Sequence, residues 1–425
     1  MASGIGRGTA GRRRAAAAPA GRPGARCHTL RRTPLRRPGA ASARGARPTA
    51  AGSSPSSRCR AAPADGGAGG PAAAAAGESY RDKPPQEVRV AVFGATGYIG
   101  RFVVRELVAR GYDVVAVTRG SSGIGGKQGV RDVEALFPGG TVVQADVQDA
   151  AAVGAAVIGD RPADVVVSCL ASRTGGKKDS WAIDYQATLN TLDAARAAGA
   201  QHYVLLSAIC VQKPLLEFQK AKLKLEAALE GAGDITYSIV RPTAFFKSLG
   251  GQVESVKGGG PYVWFGDGEL ASCKPISEAD LARFMADCVA DADKVNRVLP
   301  VGGPGEALSP KQQADLLFGL LGPDAKRNTF PVPVALMDGI IGLLDFLNGT
   351  IGRFFPQLED AAEFGRIGKY YATESMLVYD PATGEYDAAA TPSYGTDTLE
   401  DFFKKVLKDG MAGQELGDQA VFSQK

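Results

Sequence analysis

The sequence predicts an α/β protein built on a doubly wound parallel sheet, with a smaller substrate-binding part towards the C-terminus. Three observations carry this. Short apolar runs alternate with helical stretches from Val88 to Pro242, and strands that alternate with helices make parallel sheets. A central run, Asp164-Val165-Val166-Val167-Ser168-Cys169-Leu170, is apolar along its length rather than at every second residue, as a strand covered on both faces requires. The first strand runs into Gly94-Ala95-Thr96-Gly97-Tyr98-Ile99-Gly100, a G-x-x-G-x-x-G turn opening a helix.

The elements follow in order. Val88 to Phe93 is the first strand and Gly100 to Arg110 the first helix. A tight strand-to-helix turn needs residues that tolerate positive φ. A pyrophosphate drawn close to its N–H groups would collide with a Cβ, and its charge rests at the positive end of the helix. Gly94, Thr96, Gly97, Tyr98, Ile99 and Gly100 are therefore candidate contacts to a dinucleotide in a Rossmann unit. Tyr112 to Thr118 is the second strand, and Arg119 follows it. NAD-binding folds place an acid about twenty positions on, against the ribose 2′-hydroxyl. A guanidinium there favours a 2′-phosphate, so the expected cofactor is NADPH.

Residues 120–129 read as a glycine-rich loop carrying Lys127. Thr141 to Ala145 is the third strand and ends at Asp146-Val147. The fourth strand leads into Cys169, Leu170 and Ala171, and a helix follows from Trp181 to Ala198. His202 to Ser207, a helix over 215–230, and Thr236 to Pro242 complete the alternation. Ligands of such sheets lie at the carboxyl ends of strands. The loops at Gly94, Arg119, Asp146, Val147, Cys169, Leu170, Ala171, Ser207 and Pro242 should face the cofactor.

Beyond Pro242 the alternation degrades. Residues 86–242 are assigned to the NADP-binding domain, and 243–425 to a substrate-binding portion packed on its sheet. Ser277-Glu278-Ala279-Asp280 has the form of a helix cap before Leu281 to Val289. Phe245-Phe246 and Trp264-Phe265, with Lys247 near, offer a flat apolar wall with a cation at its rim; core packing is the other reading. Val332 to Phe355 is strongly apolar, but Asp338 and Asp345 interrupt it. Two central acids argue against a transmembrane span. An amphipathic helix fits, with Leu336, Met337, Ile340, Ile341, Leu344 and Leu347 on its apolar side. Its readings are core packing, a lid over an apolar substrate, or peripheral contact with a membrane.

Composition is that of a soluble globular protein, 44% hydrophobic and 22% charged. The net charge of +4 hides an asymmetry: residues 1–77 hold fourteen arginines, no lysine and one acid, a charge of +13, which leaves −9 on residues 78–425. A mildly acidic body argues against nucleic acid as a partner. The leader is Arg-rich, acid-poor and hydroxylated, without a long apolar core, and reads as an organelle transit peptide. Mitochondrion and chloroplast stay unresolved on composition. Six cysteines without C-x-x-C spacing and two histidines, His28 and His202, point to no metal site.

Over residues 86–310 the chain resembles the atypical, NmrA-like and isoflavone-reductase-like branch of the short-chain dehydrogenase/reductases, through the glycine turn, Asp146, Ser207 and Arg241-Pro242-Thr243. That family pairs Tyr-x-x-x-Lys with a Ser. Here the lysine is kept as Lys222, Ser207 stands at the strand end, and the tyrosine position holds Phe218. The resemblance implies that Lys222 bonds the nicotinamide ribose. A phenyl ring cannot protonate an alkoxide, so carbonyl reduction is disfavoured. Hydride addition to a conjugated C=C tolerates the loss, because the charge spreads into the attached π-system.

Ser168-Cys169-Leu170-Ala171-Ser172-Arg173, Asp184-Tyr185-Gln186, Phe218 to Glu226 and Tyr370-Tyr371-Ala372-Thr373-Glu374-Ser375-Met376-Leu377 narrow this further. With them the chain is similar, over about residues 86–410, to the plant and algal family of divinyl chlorophyllide 8-vinyl reductases. The resemblance implies NADPH-dependent reduction of a vinyl group to ethyl on a chlorophyllide-type tetrapyrrole, in chloroplasts. It implies catalytic roles at Lys222, Ser207 and Phe218. Arg173, at a sheet carboxyl end, has two readings: a contact to cofactor or a substrate carboxylate, and a surface arginine. Tyr185, Ser207 and water stay open as proton donors. Another NADPH reductase of conjugated substrates and a non-catalytic NADP-binding regulator stay open as functions.

Overall fold

The computed structural model describes residues 79–120, 130–351, 355 and 357–411. The leader, and Lys127 in its glycine-rich loop, lie outside the described residues.

The first eight strands are β1 (Arg89–Phe93), β2 (Asp113–Thr118), β3 (Thr141–Gln144), β4 (Val165–Ser168), β5 (His202–Leu206), β6 (Thr236–Pro242), β7 (Tyr262–Phe265) and β8 (Arg297–Val301). Seven of them form one parallel sheet in the order β3-β2-β1-β4-β5-β6-β8. The order reverses between β1 and β4, and the crevice above that point is where such sheets hold ligands.

Alternation along β1 explains the layers. Val90 and Val92 point to one core, shared with Val103, Val104 and Leu107 of the helix Gly100–Ala109 and with Leu281, Met285 and Val289 of the helix Glu278–Ala290. Ala91 and Phe93 point to the other, with Leu192, Leu225 and Leu229. Each such side chain, when fully buried, contributes about 1.5–3 kcal/mol. Burial on both faces is why these strands read as unbroken apolar runs.

The sheet does not stop at Pro242. Its last strand, β8, comes from the portion expected to hold substrate and pairs with β6 from Ser238↔Arg297 to Pro242↔Val301. The helix Glu278–Ala290, which the Ser277 side chain caps by accepting from Asp280 N, packs on the sheet as well. Residues 243–411 therefore interleave with the nucleotide-binding part. A third cluster sits apart, around Phe246, Val253, Tyr262, Leu317, Phe402 and Phe403.

The apolar stretch forms the helix Val334–Ile351, packed antiparallel-hairpin fashion on Gln357–Thr373. Asp338 and Asp345 pair with Lys369 and Arg366 of that neighbour, each at 2.5 Å. The expected apolar side is divided. Met337, Ile341, Leu344 and Leu347 are half-buried, whereas Leu336, Ile340, Leu343 and Phe346 are exposed by 51–66%. The core-packing reading is thereby corrected, because one neighbouring helix covers only one flank. By length and composition alone the helix is long and apolar enough to cross a membrane.

Candidate active site

The turn after β1 has the form its sequence demands. Gly94 adopts φ +74°, and a Cβ there would lie 2.8 Å from the Cys169 carbonyl oxygen. Gly100 lets the helix close on the strand: its Cβ would lie 2.1 Å from the Gly94 oxygen. Gly97 N donates to Gly94 O at 2.9 Å, and Gly97 itself is exposed. The helix Gly100–Ala109 begins directly after it, so an open backbone surface meets the positive end of a helix dipole. Such a cradle would fit a pyrophosphate, and so the expected dinucleotide. Thr96 lies half-buried in the same turn and Ile99 is buried beneath it. The Tyr98 ring packs on Phe245 at 6.0 Å between centroids.

The other strand ends converge on this cradle. Cys169 N bonds Phe93 O at 2.9 Å, which places Cys169, Leu170 and the exposed Ala171 beside the glycines. Burial pushes the Cys169 thiol up to about 12, so the residue contributes backbone rather than a thiolate. Val147 is buried and its carbonyl accepts from Asn190 at 3.1 Å; Asp146 is exposed beside it. Arg119 is exposed at the end of β2. Its guanidinium is lowered first by burial and then by the charge of Arg173, with Asp146 opposing. Two arginines from separate loops thus share one corner. Pro242 is buried where β6 meets β8.

Lys222 lies on the helix Glu217–Glu230 and is only 8% exposed. Its ammonium pairs with Asp184 at 3.0 Å, so it is not a solvated helical lysine like Lys220. Asp184 is 2% exposed. It sits in Ser180–Ala187, which winds as a π-helix before the α-helix Thr188–Ala197. Such turns are frequent at functional sites. The Ser172 amide donates to the same Asp184 oxygen at 3.3 Å; the second oxygen is buried without a protein partner.

Ser207, Lys247, Phe246 and Trp264 are all engaged by neighbouring side chains. The Ser207 hydroxyl donates to Glu226, whose carboxylate also accepts from Arg241 Nε at 3.2 Å. Ser207 is therefore committed to a buried Ser207–Glu226–Arg241 network one helical turn from Lys222. Lys247 is not a rim cation: it is 6% exposed and its ammonium lies 4.3 Å from the Tyr98 ring centroid. Phe246 belongs to the third core cluster and Trp264 packs against it, so these aromatics do not form a free wall. Phe218 is half-buried on a small cluster of Ile209, Cys210, Leu216 and Tyr370.

That cluster shows what sequence reasoning missed. The helix Gln357–Thr373 lies across the Lys222 helix and the loop after β5. Glu363 accepts from the Glu217 amide at 2.9 Å, and Tyr370 Oη donates to Cys210 O at 2.9 Å. The neighbouring Tyr371 ring stands edge-on to Tyr370, with centroids 5.9 Å apart, and is half exposed. The repeated aromatic pair Tyr370-Tyr371 was the available signal, but nothing local ties it to Lys222.

Known proteins resemble this chain in sequence and in fold. Residues 94–292 match a family model described as NAD(P)H-binding. The chain is 60% identical over 351 residues to a divinyl chlorophyllide a 8-vinyl-reductase, chloroplastic, of Cucumis sativus, covering 81% of this chain and 82% of that one. It is 59% identical over 356 residues to the protein of the same name from Zea mays, covering 83% and 87%. Among solved structures, the NADPH-dependent quinone oxidoreductase QOR2 of Escherichia coli, complexed with NADPH, superposes with a TM-score of 0.52 at 19% identity, over 75% of this chain and 100% of that one; this likeness is one of fold. The chain belongs to the divinyl chlorophyllide a 8-vinyl-reductase family.

Proposed function

We propose that this protein reduces the 8-vinyl group of a divinyl chlorophyllide-type tetrapyrrole to ethyl, in the chloroplast, with NADPH as reductant. The observation that carries the reading is a dinucleotide cradle and a buried lysine retained beside a phenyl ring: Gly94, Gly97 and Gly100, then Lys222, then Phe218 where carbonyl reductases need a phenol. Relatives near 60% identity over four-fifths of the chain bear the reductase name and the word chloroplastic. A transit role for residues 1–77 accords with that.

When bound, the reduced nicotinamide supplies a hydride. The residues of this chain hold and orient it. The cradle turn and the loops at Val147, Cys169, Leu170 and Ala171 take the pyrophosphate and adenosine. Arg119 and Arg173 meet the 2′-phosphate, which favours NADPH over NADH. Lys222, fixed by Asp184, bonds the nicotinamide ribose. Residues 86–242 with β8 serve the cofactor, and the rest of 243–425 serves the pigment. The exposed face of Val334–Ile351 suits peripheral contact with a membrane, where an apolar pigment partitions.

Full-length protein incubated with NADPH and divinyl chlorophyllide should yield the monovinyl product, read by absorbance. Bound NADPH without product would overturn the reading and favour a regulator.

A further inference from the structure

The helix Val334–Ile351 is oriented the wrong way round for water. Its acids turn towards its neighbour: Asp338 pairs with Lys369 and Asp345 with Arg366. Its large apolar side chains Leu336, Ile340, Leu343, Phe346 and Ile351 are left exposed. Close packing fixes this rotation. Gly365 and Gly368 of the neighbour seat the helix, and a Cβ at these positions would lie 3.0 Å from Ile341 Cγ1 and 3.2 Å from Met337 Cε. The outward face is thus a built surface, and one of this size on a soluble chain marks a docking site.

The shape and charge of the face select its occupant. A second helix covers a narrow seam of side chains. Here, at 100° per residue, the exposed side chains from Phe346 round to Ile351 span about 140° of the helix. Phe330 ahead of the helix and Phe355 beyond it are exposed too, and carry the apolar surface past both ends. No lysine or arginine stands on the helix and both of its acids are paired, so the face suits acyl chains rather than an anionic partner. Both ends of the helix return to the body. It is preceded by β9 (Thr329–Val332), which pairs with β7 from Tyr262↔Thr329 to Phe265↔Val332. It is followed by Gln357–Thr373, which packs back along it. A helix tied down in this way lies along one leaflet and does not cross.

The helix Gln357–Thr373 joins this face to the site. Glu363 holds the amide of Glu217, the first residue of the Lys222 helix; Tyr370 holds the Cys210 carbonyl; Lys213 pairs with Glu374 at 2.7 Å. We propose that the helix Val334–Ile351 rests in one leaflet of a lipid bilayer and that the pigment is taken up from that leaflet. This rests on the vinyl reductase reading and adds the phase from which its substrate comes.

The full chain is tested with divinyl pigment presented in two ways, in phosphatidylcholine vesicles and in detergent micelles. Leu343→Asp with Phe346→Asp should raise KM for vesicle-held pigment by about tenfold or more, with kcat unchanged. For micelle-held pigment both constants should stay at the wild-type values, which also shows that the variant is folded. Phe330→Asp, off any helix seam, should weaken co-sedimentation with the vesicles. An unchanged KM for vesicle-held pigment would overturn the inference, as would an equal loss with micelles, which would put the face inside the site. A wild-type dimer in sedimentation velocity that Leu343→Asp with Phe346→Asp disperses, with Phe330→Asp silent, would hand the face to a second copy and overturn it too. Absence of turnover by the wild type in both presentations would instead remove the reductase reading beneath it.

Discussion

Asp184 and Lys222 form a buried ion pair, 3.0 Å apart, between a π-helical turn and the helix that carries the family lysine. The π turn adds one residue to the helical repeat and thereby swings Asp184 inward. Removing one member of a buried pair strands the other charge, at about 3–5 kcal/mol. Lys222→Ala should therefore lower the denaturant midpoint sharply and suppress turnover. Pairing Lys222→Met with Asp184→Leu should restore stability without restoring turnover. Recovery of both would show that the pair is structural only.

Arg119→Asp should weaken NADPH by about tenfold or more, the loss of one charge-assisted contact. NADH should change far less. Calorimetric titration of both dinucleotides checks this, and equal losses would remove Arg119 from the 2′-phosphate.

Gly97→Val should abolish binding of both dinucleotides. Gly97 is the exposed glycine of the cradle, and its Cβ would already sit 3.0 Å from the Gly94 oxygen. The fold should survive, since the added bulk points into the open turn; far-UV dichroism beside the titration separates the two effects.

His202 is fully buried at the start of β5, and burial pushes its imidazole down to about 3. Below pH 6.5 the unfolded chain takes a proton there that the folded chain refuses. The stability involved is whole above pH 6.5 and declines as pH falls towards 3, by about 1.4 kcal/mol per unit. Unfolding curves at pH 7 and pH 5 should show His202→Gln losing that part of the slope.

Leu343→Asp with Phe346→Asp should abolish co-sedimentation with lipid vesicles. Both side chains are exposed, by 59% and 66%, so stability should move by no more than about 0.5 kcal/mol. Unchanged sedimentation would leave the apolar face to another role.

The central sheet was legible because β1, β2, β4 and β5 are covered on both faces, which writes them as continuous apolar runs. The cradle was legible because Gly94 and Gly100 answer local steric demands. What stayed hidden arises from distance. No pattern near Lys222 announces that the helix Gln357–Thr373 lies across its own helix, and none near Ser207 announces that Glu226 claims its hydroxyl. The π turn escaped notice because one extra residue barely disturbs helical periodicity. β8 was missed for Pro300 within it and for its place at the sheet edge, where only Val301 is buried.

The pairing of β8 with β6 has a consequence for biogenesis. A nascent or partly imported chain ending at Pro242 would present the bare backbone edge of β6, from Ser238 onward, as a template for foreign strands. Only when the polypeptide has passed Val301 is that edge sealed. Maturation of this enzyme therefore calls for shielding until more than half its length has arrived, and splitting its gene at the apparent end of the nucleotide half would yield a fragment prone to clump.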